Sequence, residues 1–111
     1  MEIIIDTSKP FGAVQLKGRL GVGDAQRLME ELEPLMRGRE TKLAIGLAEV
    51  TSIDSGGLSC LINVVTRARL SEGRVILVGP AKFVEGVLEV TQLDRWFEIC
   101  PDFEEAARRL A

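Results

Sequence analysis

Ile53-Asp54-Ser55-Gly56-Gly57-Leu58 sets a carboxylate, a hydroxyl and two glycines side by side where an apolar run gives way to a helical pattern. The first backbone N–H groups of a helix have no partner inside it and carry the positive end of its dipole, so such a turn attracts anions. Either Ser55 or Asp54 can cap the helix there, worth on the order of 1 kcal/mol, with the glycines permitting a tight turn. A second short stretch, Gly21-Val22-Gly23-Asp24, combines glycines with an acid at the start of another helical pattern.

Other chemistries lack their reagents. The chain has no histidine, which removes Ser-His-Asp and Cys-His nucleophilic catalysis and the commonest metal ligand. Ser55 is not in a GxSxG elbow, Gly21-Val22-Gly23 is too short for a dinucleotide fingerprint, and no GxxxxGK[ST] phosphate loop occurs. Glu30, Glu31 and Glu33 read as a solvated helix face rather than a metal site. Cys60 and Cys100 stand far apart without CxxC spacing and read as buried thiols. No enzyme, metal site or bound cofactor is expected.

The partner should be a protein. A net charge of −3 without a Lys/Arg block offers no electrostatic reason to bind nucleic acid. No apolar run approaches the roughly 20 residues of a membrane span, so no membrane insertion is expected. Acids flank the short run Ile3-Ile4-Ile5, unlike a secretory signal, which makes the cytoplasm the expected compartment. The 111 residues, 46% of them hydrophobic, suit a single domain over 1–111 with one core.

The elements that must position the two glycine-rich stretches follow from periodicity. Glu2 to Asp6 and Ala13 to Lys17 read as strands joined by the turn Ser8 to Gly12, with Val14 and Leu16 pointing inward. Ala25, Leu28, Met29, Leu32, Leu35 and Met36 recur on one helical face, with Asp24 at or near the N-cap and Pro34 loosening the last turn. Leu43, Ile45 and Leu47 alternate with Ala44, Gly46 and Ala48, as in a central strand covered on both faces. Leu58, Leu61, Ile62, Val65 and Ala68 form a second helical stripe with a C-cap near Gly73. Arg74 to Val78 is a short apolar strand, and Pro80 suits the first position of a helix that turns Phe83, Val84, Val87 and Leu88 one way. Met29, Met36 and Trp96 read as packing residues. Phe97 to Cys100 reads as an edge strand, and Asp102 with Glu105 as the capping signal of a last helix ending at Leu110. The expected fold is α/β: a mixed, mostly parallel sheet opened by an N-terminal hairpin, with packed helices and right-handed crossovers.

Over nearly its full length the chain resembles the STAS domain, and the free-standing bacterial anti-sigma factor antagonists in particular. The resemblance rests on Val14-Gln15-Leu16-Lys17-Gly18-Arg19-Leu20, on Leu43 to Leu47, on Ile53-Asp54-Ser55-Gly56-Gly57-Leu58, and on Leu88 to Phe97 with its leucine, threonine and aspartate. It implies a partner-switching cycle. In the family, the unphosphorylated antagonist captures an ATP-binding anti-sigma factor, which is also a serine kinase for the antagonist, and a phosphatase resets the cycle. The family's phosphorylated residue lies in the turn that Asp54-Ser55-Gly56-Gly57 matches, and because Gly56 carries no hydroxyl, the resemblance leaves Ser55 as the only candidate acceptor inside the motif.

The partner surface implied by the resemblance comprises Gly21, Val22 and Asp24, the turn residues Asp54, Gly56 and Gly57, and Ser59 on the following helix. Two positions depart from the family pattern: many antagonists have an acid where Gly21 stands, and serine, threonine or alanine where Gly56 stands. Gly21 and Asp24 are expected in a loop on which folding depends little. The alternative is a constitutive STAS subunit of a transporter-associated or signalling assembly, with Ser55 only a cap.

Overall fold

The computed structural model describes all residues, Met1–Ala111. Five strands form one sheet in the order β1 (Glu2–Asp6), β2 (Gly12–Leu20), β3 (Lys42–Ile53), β4 (Arg74–Val78) and β5 (Glu98–Cys100). The β1–β2 hairpin is antiparallel, and β2–β3, β3–β4 and β4–β5 are parallel. Each parallel crossover carries a helix: α1 (Val22–Leu32), α2 (Ser55–Leu70) and α3 (Lys82–Val90), with α4 (Phe103–Leu110) closing the chain. This is the mixed, mostly parallel α/β sheet expected, with β3 at its centre and β5 at its edge.

Strand alternation divides the interior into two cores. Val14, Leu16, Leu43, Ile45 and Leu47 pack with Leu28, Leu32, Leu61, Val65, Val84 and Leu88 of α1, α2 and α3. On the opposite face Ala13, Ala44, Ile76 and Val78 pack with Ala106 and Leu110 of α4. The small residues of β3 have a steric reason, because a Cβ on Gly46 would lie 2.9 Å from the Phe103 ring. Cys60 and Cys100 are free and buried; burial pushes both thiols up.

Several local expectations change. Strands β2 and β3 run on to Leu20 and Ile53, beyond the apolar alternation at Lys17 and Leu47. Register shifts after Gln15 and after Gly18, where φ is +96°, allow β2 to bend and keep pairing as far as Leu20↔Ile53. Helix α1 starts earlier than expected, with Gly21 rather than Asp24 at the N-cap. Pro34 sits in a 3-10 turn, Glu33–Leu35, that follows α1, which is the loosened end its missing N–H demands.

Gly73 is not the left-handed residue that ends α2. Glu72 holds φ +63°, and the Gly73 N–H donates to the Ala68 carbonyl at 2.6 Å in a Schellman arrangement. Glycine at 73 instead clears the Thr41 carbonyl, 2.5 Å from where a Cβ would stand. Pro80 precedes the N-cap, Ala81, instead of opening α3. On α3 only Val84 and Leu88 are buried; Phe83 is exposed because it lies about 100° from Val84 and 140° from Leu88 around the helix. Met36 is buried, and Met29 and Trp96 pack at the margin of the larger core, with the Arg69 guanidinium 4.4 Å over the Trp96 ring.

Candidate functional site

Because β2 and β3 are adjacent and parallel, their carboxyl ends emerge together, and each runs directly into a helix. The starts of α1 and α2 are therefore neighbours at one end of the sheet, the end at which open α/β sheets place their binding crevices. Leu20 pairs with Ile53, and one residue further the Asp54 N–H still donates to the Leu20 carbonyl at 3.2 Å.

Asp54 caps both helices. Its Oδ1 accepts the Gly57 N–H at 2.9 Å, the ordinary N-cap bond of α2. Its Oδ2 accepts the Val22 N–H at 3.2 Å, the first N–H of α1. Gly21, the N-cap of α1, has no side chain with which to satisfy that group. Asp24 completes the turn by accepting the Gly21 N–H at 3.1 Å. The Gly57 and then the Val22 N–H groups hold the Asp54 carboxyl below the usual aspartate range, outweighing desolvation, with smaller help from the Gly56 N–H and the Arg19 charge.

The glycines make this approach possible. A Cβ on Gly21 would lie 2.9 Å from Asp54 Oδ2, one on Gly56 would lie 2.5 Å from the Val22 Cβ, and one on Gly57 would lie 2.3 Å from the Leu20 carbonyl oxygen. Gly56 is thus packed against α1. Gly21 is half-buried in the same contact, so the expectation that folding is indifferent to it fails. Asp24 is tied into the fold as well, through the Gly21 N–H. The two departures from the family pattern, at Gly21 and Gly56, both lie in the contact between the starts of α1 and α2. Gly23 differs, since a Cβ there would meet nothing within 4 Å.

Ser55 is the first residue of α2 and is exposed, and the cap bond belongs to Asp54. Its hydroxyl makes no hydrogen bond within the chain. Ser59, one turn later on the same helix, is also exposed. Val22 is 73% exposed despite its apolar side chain. Beside it runs a shallow cleft of about 550 Å³ lined by Met1, Arg19, Leu20, Gly21, Val22, Gly23, Asp24, Ser52, Ile53 and Asp54. The structure therefore brings Gly21, Val22, Asp24, Asp54, Ser55, Gly56 and Gly57 to one end of the sheet, with Ser59 a turn away along α2.

Arg19 and the Leu20 carbonyl belong to this site although sequence reasoning did not single them out. Arg19 is exposed at the end of β2, and its place follows from the shifted β2–β3 register, which no periodicity reveals. No group of three or more His, Cys, Asp or Glu side chains is arranged to hold a metal ion.

The comparisons agree with this architecture. The family model described as the STAS domain matches residues 2–106. A candidate anti-sigma factor antagonist from Thermotoga maritima is 38% identical over 65 residues, 59% of this chain and 58% of that protein. A homologue from Thermotoga neapolitana is 37% identical over the same span. The alignments thus take in less than two thirds of the curated relatives' length. The crystal structure of a candidate antagonist from Thermotoga maritima superposes with a TM-score of 0.80 at 27% identity, covering 98% of this chain and 92% of that one. The antagonist SpoIIAA in its unphosphorylated form gives 0.76 at 15% identity, covering 98% and 97%. The phosphorylated form of the Bacillus protein gives 0.75 at 16%, covering 99% and 100%; at these identities the likeness is one of fold.

Proposed function

This chain belongs to the STAS domain family, and on that premise we propose that it is an anti-sigma factor antagonist whose partner binding is switched off by phosphorylation of Ser55. The partner is an ATP-binding anti-sigma factor that also serves as the serine kinase. A phosphatase restores the free hydroxyl, and the cycle runs in the cytoplasm. The chain acts by binding rather than by catalysis.

The observation that carries this reading is the division of labour at the start of α2. Asp54 does the capping, so the Ser55 hydroxyl is exposed and spare. A structural cap would be engaged with the backbone; a phosphoacceptor must be free of it. The named relatives support the partner class, and SpoIIAA is a protein of this fold that has been solved both with and without phosphate.

The electrostatics give the switch its sign. Phosphorylation adds about −1.5 to −2 charges beside the Asp54 carboxylate, near a cleft whose charged groups are Asp24, paired with the Met1 ammonium at 4.0 Å, and Arg19. The first-turn N–H groups of α2 can tolerate that charge within the folded chain. A partner packed over Val22 and the turn would have to desolvate it or oppose it with its own acids, at a cost of several kcal/mol. Each ~1.4 kcal/mol is tenfold in affinity, so one phosphate suffices to release the partner without a change of fold.

The test uses an anti-sigma kinase that captures this protein, with and without ATP. Intact-mass analysis should find one phosphate on the wild type and none on Ser55→Ala, and the phosphorylated chain should leave the complex. Ser55→Ala should bind and stay bound. Phosphate on Thr51, Ser52 or Ser59, or unchanged affinity after modification, would overturn the reading in favour of a constitutive subunit.

A further inference from the structure

Helix α3 leaves its outward face uncovered. Val84 and Leu88 are buried toward the sheet, whereas Phe83 is 57% and Val90 86% exposed, with Val87 half-buried between them. At about 100° per residue, Phe83 and Val90 form one flank of the outward face and Lys82 and Glu89 the other, with Gly86 between the two; Val87, which packs against the larger core, and Glu85 lie at the lateral margins. Phe83, Gly86, Val87 and Val90 line a shallow depression of about 430 Å³ together with Lys82 and Thr91.

The charges on this face indicate what fits it. Lys82, Glu85 and Glu89 are exposed, and none takes part in an ion pair within the chain. The cation stands at the start of the flank and an acid near its end, about 10.5 Å further along the axis. When two such helices pack antiparallel about a two-fold axis perpendicular to them, each flank meets its own copy reversed. Lys82 then faces Glu89 of the second copy and Phe83 faces Val90, each contact occurring twice.

Gly86 falls at the centre of that arrangement. Glycine is unfavourable inside a helix, and here neither backbone nor packing within one chain requires it: its φ is not positive, and a Cβ would meet nothing within 4 Å. At a crossing point it lets two helix backbones come close.

We infer that the outward face of α3 is a self-association surface, on which a second copy of this chain lays its own α3 antiparallel across Gly86. The patch spans nine residues of one helix. It is therefore smaller than a standard interface of about 1,600 Å² in total, and the dimer is weak and concentration-dependent.

Sedimentation equilibrium of the full chain across about a hundredfold range of concentration tests this, with a dissociation constant on the order of 100 μM expected for the wild type. Val90→Glu and Lys82→Glu should each weaken the dimer by at least about tenfold, because they set acids against apolar or acidic groups. The double variant Lys82→Glu/Glu89→Lys should recover the wild-type constant, since the swap recreates both ion pairs. All the substituted side chains are exposed, and matching thermal melts would keep misfolding out of the comparison. A wild type monomeric throughout, a dimer that survives Val90→Glu, or a charge swap that fails to recover association would each overturn the assignment.

Discussion

The Asp54 carboxylate accepts the Val22 N–H from 3.2 Å away, across 32 positions of sequence, while its other oxygen caps its own helix. One side chain therefore fixes how two helix starts meet, and the surface they form together is the proposed partner surface.

That dual cap has a pH signature. The folded-state pKa of Asp54 lies below its unfolded value, chiefly because of the Gly57 N–H and then the Val22 N–H. Its contribution to stability is complete above the unfolded aspartate value, about 3.9, and is lost as pH falls through the lower folded value. Asp54→Ala should melt at a lower temperature than the wild type near neutral pH, and the gap should close in acid. A gap unchanged down to the most acidic folded conditions would mean that the ionised carboxylate is not what joins the helices.

The glycines of the site should respond according to their surroundings. Gly57→Ala drives a methyl into the Leu20 carbonyl and Gly56→Ala drives one into Val22, so each should lose about 1 to 3 kcal/mol in urea denaturation. Gly23→Ala, in open space inside α1, should be neutral or gain up to about 1 kcal/mol. Equal effects at all three positions would mean that backbone freedom, not the α1–α2 contact, explains the glycines.

Leu61 is fully buried in the larger core between α2 and the sheet. Leu61→Ala should cost about 2 to 5 kcal/mol by denaturant melt. A loss below about 0.5 kcal/mol would place the side chain at the surface.

Val22 separates binding from folding better than Gly21 or Asp24 does, because its side chain is largely exposed, whereas a Cβ at position 21 would press on Asp54 and the Asp24 carboxylate holds the Gly21 N–H. Val22→Asp should leave the thermal melt nearly unchanged and weaken anti-sigma factor binding in calorimetry at least about tenfold, as charges in the centre of an interface do. Unaltered affinity would move the partner surface away from this end of the sheet.

Periodicity and composition by themselves determine much of this protein. Period-two alternation in Leu43 to Leu47, with small residues between, marks the central strand, because a stretch covered on both faces must bury every side chain it carries; Ala48, one residue on, is already exposed. The helical stripes at Leu28 and Leu61, the opening hairpin, the edge strand before Cys100 and the Asp102 cap follow from equally local patterns. The absence of histidine shapes the functional reading from composition alone.

What the sequence could not decide depends on residues far apart in the chain. Nothing local reveals that Glu72 rather than Gly73 takes the left-handed turn, because the choice depends on the Thr41 backbone pressing against position 73. Nor does any local signal say that Gly21 and Gly56 are needed for close approach, or that Arg19 stands beside the Asp54 turn. Those facts follow from the parallel pairing of β2 with β3 and its shifted register, which bring α1 and α2 to a common end. A hydrogen bond between positions 22 and 54 is long-range, and only the packed sheet supplies the geometry that makes one carboxylate serve two helices.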